Sequence, residues 1–200
     1  MPNTLCSSMD SGRKQQIFLI RHARPLVDRR GWFSKTQAQQ FLQDYQVAEV
    51  EEILSPQLPP VLPPVKKVYC SPLPRAMATA HMLFGPEAEL VVDPVFREFE
   101  SSIWGLPMGR FPLSWWQVPS RVLWFLGLHQ KGMESFRKAK VRAALAAEQL
   151  AQEAGAKGVA VLVAHGFVNE FIKRALVKKQ WEVLVNGGRG YVGVTQLGRE

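Results

Sequence analysis

Short, wholly apolar runs alternate with amphipathic stretches along this chain. Ile17-Phe-Leu-Ile20 stops abruptly at Arg21-His22, and Val159-Ala-Val-Leu-Val-Ala164 stops at His165-Gly166. Runs of this length without polar alternation predict strands buried on both faces, with polar tips emerging beyond the sheet. Lys66 to Cys70 reads as a further short strand, Leu90-Val-Val92 as a weaker one, and Gly190 to Leu197 as a closing edge strand. Between them lie helical patterns. Ser34 and Thr36 offer N-caps to a stretch in which Ala38, Phe41, Leu42 and Tyr45 fall on one face. Ala76 to Phe84 follows Ser71-Pro-Leu-Pro-Arg75, with proline where a first helical turn tolerates it. Met133 to Ala154, bounded by Gly132 and Gly155, is the longest helical signal, and Phe167 to Val177 the last.

Strands separated by helices of this length imply βαβ units. The expected fold is therefore α/β, a three-layer sandwich in which a mostly parallel sheet carries helices on both faces. Two segments depart from the pattern. Leu54 to Pro64 holds five prolines and reads as a stiff surface connection. From about residue 101 to 132, an insertion carries Trp104, Phe111, Trp115, Trp116 and Trp124 among Pro107, Pro112 and Pro119. It reads first as a satellite hydrophobic cluster under a long loop, next as a lid or substrate wall, and last as a membrane-surface contact through tryptophans beside Arg121. Residues 1–16 read as a flexible leader without the form of a signal peptide, and 17–200 as a single domain.

At 200 residues and 46% hydrophobic, the chain has the size and composition of one globular domain and the wrong composition for disorder or a coiled coil. Its two cysteines, Cys6 and Cys70, are too few for a disulfide framework or a thiolate zinc site, so a cytoplasmic location is expected. A net charge of +8 favours anionic partners. The lysines and arginines are spread along the chain and no nucleic-acid motif is present, so nucleic acid is not expected as a partner. No run approaches the ~18 apolar residues of a membrane span, so apart from the last-ranked reading of the insertion no membrane contact is expected.

In an open α/β sheet, ligands bind beyond the carboxyl ends of the strands. Three such ends carry polar groups: Arg21-His22, Ser71 to Arg75, and His165-Gly166, with Glu98 a fourth candidate from the loop after Val92. Two histidines, two arginines and a carboxylate suit phosphate chemistry. Arginine offers phosphate a planar fork of donors. A neutral histidine with one ring nitrogen tied up can attack phosphorus through the other, and neighbouring arginines disfavour its cation. A second histidine, if protonated, can stabilise the equatorial oxygens together with the N–H groups after Gly166. A carboxyl group can protonate the leaving oxygen. His81 and His129 read as solvated or structural; Arg24 is balanced between pocket and solvent.

Leu19-Ile-Arg-His-Ala-Arg-Pro25, Tyr69-Cys-Ser-Pro-Leu-Pro-Arg-Ala-Met-Ala-Thr-Ala80, Phe96-Arg-Glu98 and Val163-Ala-His-Gly166 together resemble the histidine phosphatase superfamily, also called phosphoglycerate-mutase-like. The resemblance runs from Ile17 to about Val177. It implies His22 as the nucleophile, Arg21 and Arg75 as phosphate clamps, His165 as the second phosphate-contacting histidine and Glu98 as the proton donor, with no metal or cofactor. A phosphorylated small molecule is the implied substrate. Ala23 replaces the family's usual glycine, Asp28 stands where many members have a phosphate-touching asparagine, and Glu100 is an alternative to Glu98. The expected activity is hydrolysis of a phosphomonoester through a phosphohistidine. The alternatives are a phosphomutase, a non-catalytic phosphate-binding or regulatory protein, and a protein phosphatase.

Overall fold

Apolar residues on alternate positions of β1 (Gln15–Arg21) face opposite ways, and the structure covers both faces. The computed structural model describes residues 14–53, 62, 64–104, 109–188 and 190–200. Most of the proline-rich connection, residues 105–108 of the insertion and residues 1–13 of the leader lie outside the described residues. After β1 come β2 (Trp32–Phe33), α1 (Lys35–Val47), β3 (Lys67–Cys70), α2 (Pro74–Phe84), β4 (Glu89–Val92) and a 3-10 turn at Pro94–Phe96. Then follow β5 (Phe111–Pro112), α3 (Leu113–Phe125), α4 (Phe136–Lys157), β6 (Val159–Ala164), α5 (Gly166–Val177), β7 (Glu182–Val185) and β8 (Val194–Arg199).

The main sheet has the order β4-β3-β6-β1-β8-β7. Its first four strands are parallel; β8 runs antiparallel to β1, and β7 antiparallel to β8. On one face Ile17, Leu19, Tyr69, Leu162 and Ala164 pack with Ala143, Ala147 and Leu150 of α4 and with Val168 and Ile172 of α5. On the other, Phe18, Ile20, Val68, Cys70, Val161 and Val163 pack with Ala76 and Ala80 of α2. Burying both faces explains why β1 and β6 are uninterrupted apolar runs. The α/β class and the helices on both faces follow the sequence pattern.

Local chemistry sets the helix ends. Ser34 caps α1, its hydroxyl accepting from Gln37 N while the Gln37 side chain accepts from Ser34 N. Ser135 caps α4, and Gly158, in the left-handed region at φ 83°, ends it. Gly155 therefore lies inside the helix rather than at its end.

Two expectations are corrected. The Gly190–Leu197 segment is not an edge strand: it forms a strand only from Val194, and β8 lies inside the sheet between β1 and β7. The edge is β7, which the apolar pattern does not announce because all four of its residues are exposed. The insertion contains a 13-residue helix, α3, with Pro119 inside it and Pro112 at its N-cap. Trp116 is buried with Ala38, Phe41, Ile103 and Leu113 in a satellite cluster, donating from Nε1 to Phe33 O at 2.9 Å. Trp124 joins the main core and donates to Glu134 O at 2.8 Å, while Trp115 is 62% exposed. Among the described residues, no helix is long and apolar enough to cross a membrane.

Candidate active site

Strand register brings the site together. Arg21 pairs with Ala164 across β1 and β6, so the next residues, His22 and His165, leave the sheet side by side. His22 N donates to Ala164 O at 2.9 Å. Cys70 pairs with Val163, and Ser71 N donates to Val163 O at 3.1 Å, so β3 ends at the same level. The His22 and His165 rings lie 5.0 Å apart, tilted by 59°. Both are buried.

The Nδ1 of His22 lies 2.7 Å from Ala23 O. A carbonyl only accepts, so Nδ1 carries the proton and Nε2 keeps its lone pair. Burial pushes the His22 pKa down to about 3, helped by the charges of Arg75 and Arg21 and opposed by the bond to Ala23. His165 Nε2 lies 2.7 Å from Ser71 Oγ, which also accepts from Leu73 N at 3.4 Å. Its Nδ1 is buried without a hydrogen-bond partner. Burial, then Arg75, His22 and Arg21, hold its pKa well below the usual range. His165 is therefore held toward its neutral form, and the reading in which it stabilises charge as a cation requires an anion beside it to raise its proton affinity.

Arg75, on the first turn of α2, is 2% exposed. Its Nη1 donates to Tyr45 O at 3.2 Å, its Cζ lies 4.7 Å from the Tyr45 ring, and its Nε is buried without a partner. Burial lowers its pKa, against the opposing influence of Tyr45 and Glu98. Arg21 lies with its Cζ 4.3 Å from the Tyr191 ring. A Cβ on Gly166 would stand 3.5 Å from Arg21 Nε, so the start of α5 and this guanidinium are in contact. The charges of Arg21 and Arg75 act on both imidazoles, so the surroundings of the histidine pair favour an anion over a further proton.

Glu98 accepts from three backbone amides: Phe99 N at 3.0 Å, Val168 N at 3.1 Å and Phe167 N at 3.3 Å. It therefore caps α5, directly after His165. The first N–H groups of α5 go to this carboxylate, which corrects the expectation that they face the ligand. The charge of Glu98 is felt by Arg75 on one side and Arg121 on the other. Glu100 points elsewhere, pairing with Arg97 at 2.9 Å and accepting from Glu134 N at 2.9 Å.

Both departures in the loop after β1 have a local structural account. Ala23 is not among the residues with positive φ, so the position does not require glycine. Its N–H donates to Thr79 Oγ1 at 2.9 Å, and Thr79 donates on to Arg75 O at 2.6 Å, tying the histidine loop to α2. Asp28 is exposed and paired with Arg30 at 3.0 Å, which holds its carboxyl below the usual range. Arg24 is exposed, as are His81 and His129.

Sequence reasoning missed Tyr45, Thr79, Arg29 and Tyr191. The Tyr191 ring lies 5.8 Å from that of His22, and its hydroxyl accepts from Arg29 Nη1 at 3.5 Å. It sits on a glycine-rich segment held close to the site: Arg21 N donates to Gly193 O at 3.0 Å, and Val192 adopts φ 57°. The glycines at 187, 188, 190 and 193 were the available signal. Among the described residues no cluster of three or more His, Cys, Asp or Glu is arranged to hold a metal ion.

A family model described as histidine phosphatase superfamily (branch 1) matches residues 17–200. No curated protein matches the chain. Among solved structures, mycobacterial hydrolase 1 is 25% identical with a TM-score of 0.52, covering 93% of this chain and 92% of its own. A mycobacterial glucosyl-3-phosphoglycerate phosphatase is 22% identical, with a TM-score of 0.50 and coverage of 93% and 91%. The ecdysone phosphate phosphatase of the silkworm Bombix mori, solved with tungstate, is 15% identical, with a TM-score of 0.51 and coverage of 91% and 88%. The last two likenesses establish the fold.

Proposed function

The chain belongs to the histidine phosphatase superfamily, and from that premise we propose that it hydrolyses a small phosphomonoester through a phosphohistidine on His22. The observation that carries this is the His22 tautomer: Nδ1–H is committed to Ala23 O, and the ring stays neutral with Nε2 free beside His165, Arg21 and Arg75. Arg21 and Arg75 bind the phosphate oxygens. The Nε2 lone pair attacks phosphorus, the bond to the leaving oxygen breaks, and a carboxyl proton of Glu98 passes to that oxygen. In this reading its Oε2, which holds only the longer bond to Phe167 N, is the oxygen that gives and later takes the proton. His165 and Ser71 support the equatorial oxygens, and the arriving charge raises the proton affinity of His165. Water then attacks the phosphohistidine, the phosphorus–nitrogen bond breaks back to Nε2, and Glu98 takes the water proton. The products are the free alcohol and inorganic phosphate.

The names of the structural neighbours, a hydrolase at 25% identity among them, support hydrolysis over mutase chemistry. The test is a rapid quench of enzyme with a radiolabelled phosphomonoester. An acid-labile, base-stable phosphoenzyme is expected in the native protein and none in His22→Ala, whose turnover should fall by at least about a thousandfold. Full activity in His22→Ala would reject the nucleophile.

A further inference from the structure

The aromatic-rich insertion reaches the site at two points of α3: Gln117, whose Oε1 accepts from Arg29 Nη2 at 3.4 Å, and Arg121. Arg121 is the sole ionisable residue of α3, and its guanidinium turns inward between two rings, 5.0 Å from that of Trp124 and 4.9 Å from that of Phe167. Its Nη1 donates to Glu100 O at 3.1 Å and its Nη2 to Ser101 Oγ. Phe167, on which it stacks, is the residue whose N–H donates to Glu98 Oε2. One guanidinium therefore touches both supports of the Glu98 carboxyl: the chain that follows it and the first turn of α5 that it caps. Among the described residues no carboxylate lies within ion-pair distance of Arg121. Burial lowers its proton affinity, and the charge of Glu98 opposes that shift.

We propose that Arg121 is a positioning residue for Glu98, clamping the Glu98–Ser101 segment against the start of α5 so that the carboxyl stays aimed at the leaving-group oxygen. The insertion thus serves proton transfer. The inference rests on the reading of Glu98 as proton donor. Arginine suits the task because its planar fork bonds two acceptors while its faces stack on rings, which lysine does not do.

The distinguishing property is leaving-group dependence. Nitrophenolate departs from phosphorus without a proton, whereas an alkoxide needs one. Steady-state kcat and KM are measured for nitrophenyl phosphate, phenyl phosphate and an alkyl phosphate with native enzyme, Glu98→Gln, Arg121→Gln and Arg121→Lys. Arg121→Gln is expected to lose at least about tenfold in kcat/KM, which reports phosphoryl transfer to His22, on the alkyl ester. Its kcat/KM on nitrophenyl phosphate should stay within about twofold of native, while any loss in kcat from the shared water step should be the same for every substrate. Arg121→Lys should fall between the two. Phe167→Leu, which removes one stacking ring while keeping the N–H, should show the same selectivity at smaller size and serves where Arg121→Gln fails to fold. A uniform loss of kcat/KM on all three substrates would overturn the inference. So would an Arg121→Gln profile like native while Glu98→Gln shows the dependence. A Glu98→Gln profile that is flat across leaving groups would overturn the proton-donor reading itself, and the inference with it.

Discussion

His22 and His165, 143 positions apart in the sequence, meet with ring centroids 5.0 Å apart because the register of Arg21 against Ala164 ends both strands at one level. The pair is buried, neutral and flanked by cations. That environment makes an anion welcome and a proton unwelcome.

The pH dependence follows from the sign of this effect. The native pKa of His22 is about 3 against 6.5 in a free side chain, so between these values the unfolded chain binds a proton that the native site refuses. Stability is therefore highest above pH 6.5 and falls as pH drops, at up to about 1.4 kcal/mol per unit for a single fully perturbed histidine. His165 is shifted in the same direction. Urea denaturation from pH 7.5 to 4.5 should show a steady loss that is smaller in His22→Ala. In NMR titration, the His22 ring carbon shifts should stay flat from pH 8 to 5; a midpoint near 6.5 would contradict the burial argument.

Thr79 joins the loop that carries His22 to α2, which carries Arg75. In Thr79→Val, Ala23 N–H keeps its burial and loses its acceptor, which costs about 1–3 kcal/mol. Chemical denaturation should show that loss, and KM for a phosphomonoester should rise because the position of His22 relative to Arg75 loosens. Unchanged stability would mean that the bond to Thr79 contributes nothing.

The Tyr191 segment depends on close backbone approach. A Cβ at Gly193 would lie 2.6 Å from Gly187 O and 3.0 Å from Gly190 O, backbone atoms that do not yield cheaply. Gly193→Ala should destabilise the protein by about 2 kcal/mol or more and weaken phosphate binding through Tyr191 and Arg21. Gly190→Ala is the control: a Cβ there meets nothing within 4 Å and the backbone is not in the left-handed region, so stability should stay within about 0.5 kcal/mol. Equal effects at both positions would refute the steric explanation.

If His22 itself attacks phosphorus, turnover of a phosphomonoester should be unaffected by a strong chelator during assay and after prolonged dialysis against it. Complete loss, restored by a divalent cation, would instead assign the histidines to metal ligation.

Sequence alone determined what short-range pattern can encode. The uninterrupted apolar runs of β1 and β6 announced strands buried on both faces, and their polar ends marked Arg21, His22 and His165 without any coordinates. The Ser34 cap and the proline-led start of α2 were legible for the same reason, since a helix end is decided by its neighbours in the chain. Tertiary structure decided everything that depends on distant partners. Of Glu98 and Glu100, two residues apart, only the first reaches the amides of α5, while the second turns to Arg97. The neutrality of His165 comes from burial, which no local pattern states. Tyr191, Thr79 and Arg121 gain their places only when β8 inserts beside β1, α2 closes under the histidine loop, and α3 folds despite its proline. Local propensity governs elements over a few residues; the site is built from packing between elements, where sequence separation carries no information about distance.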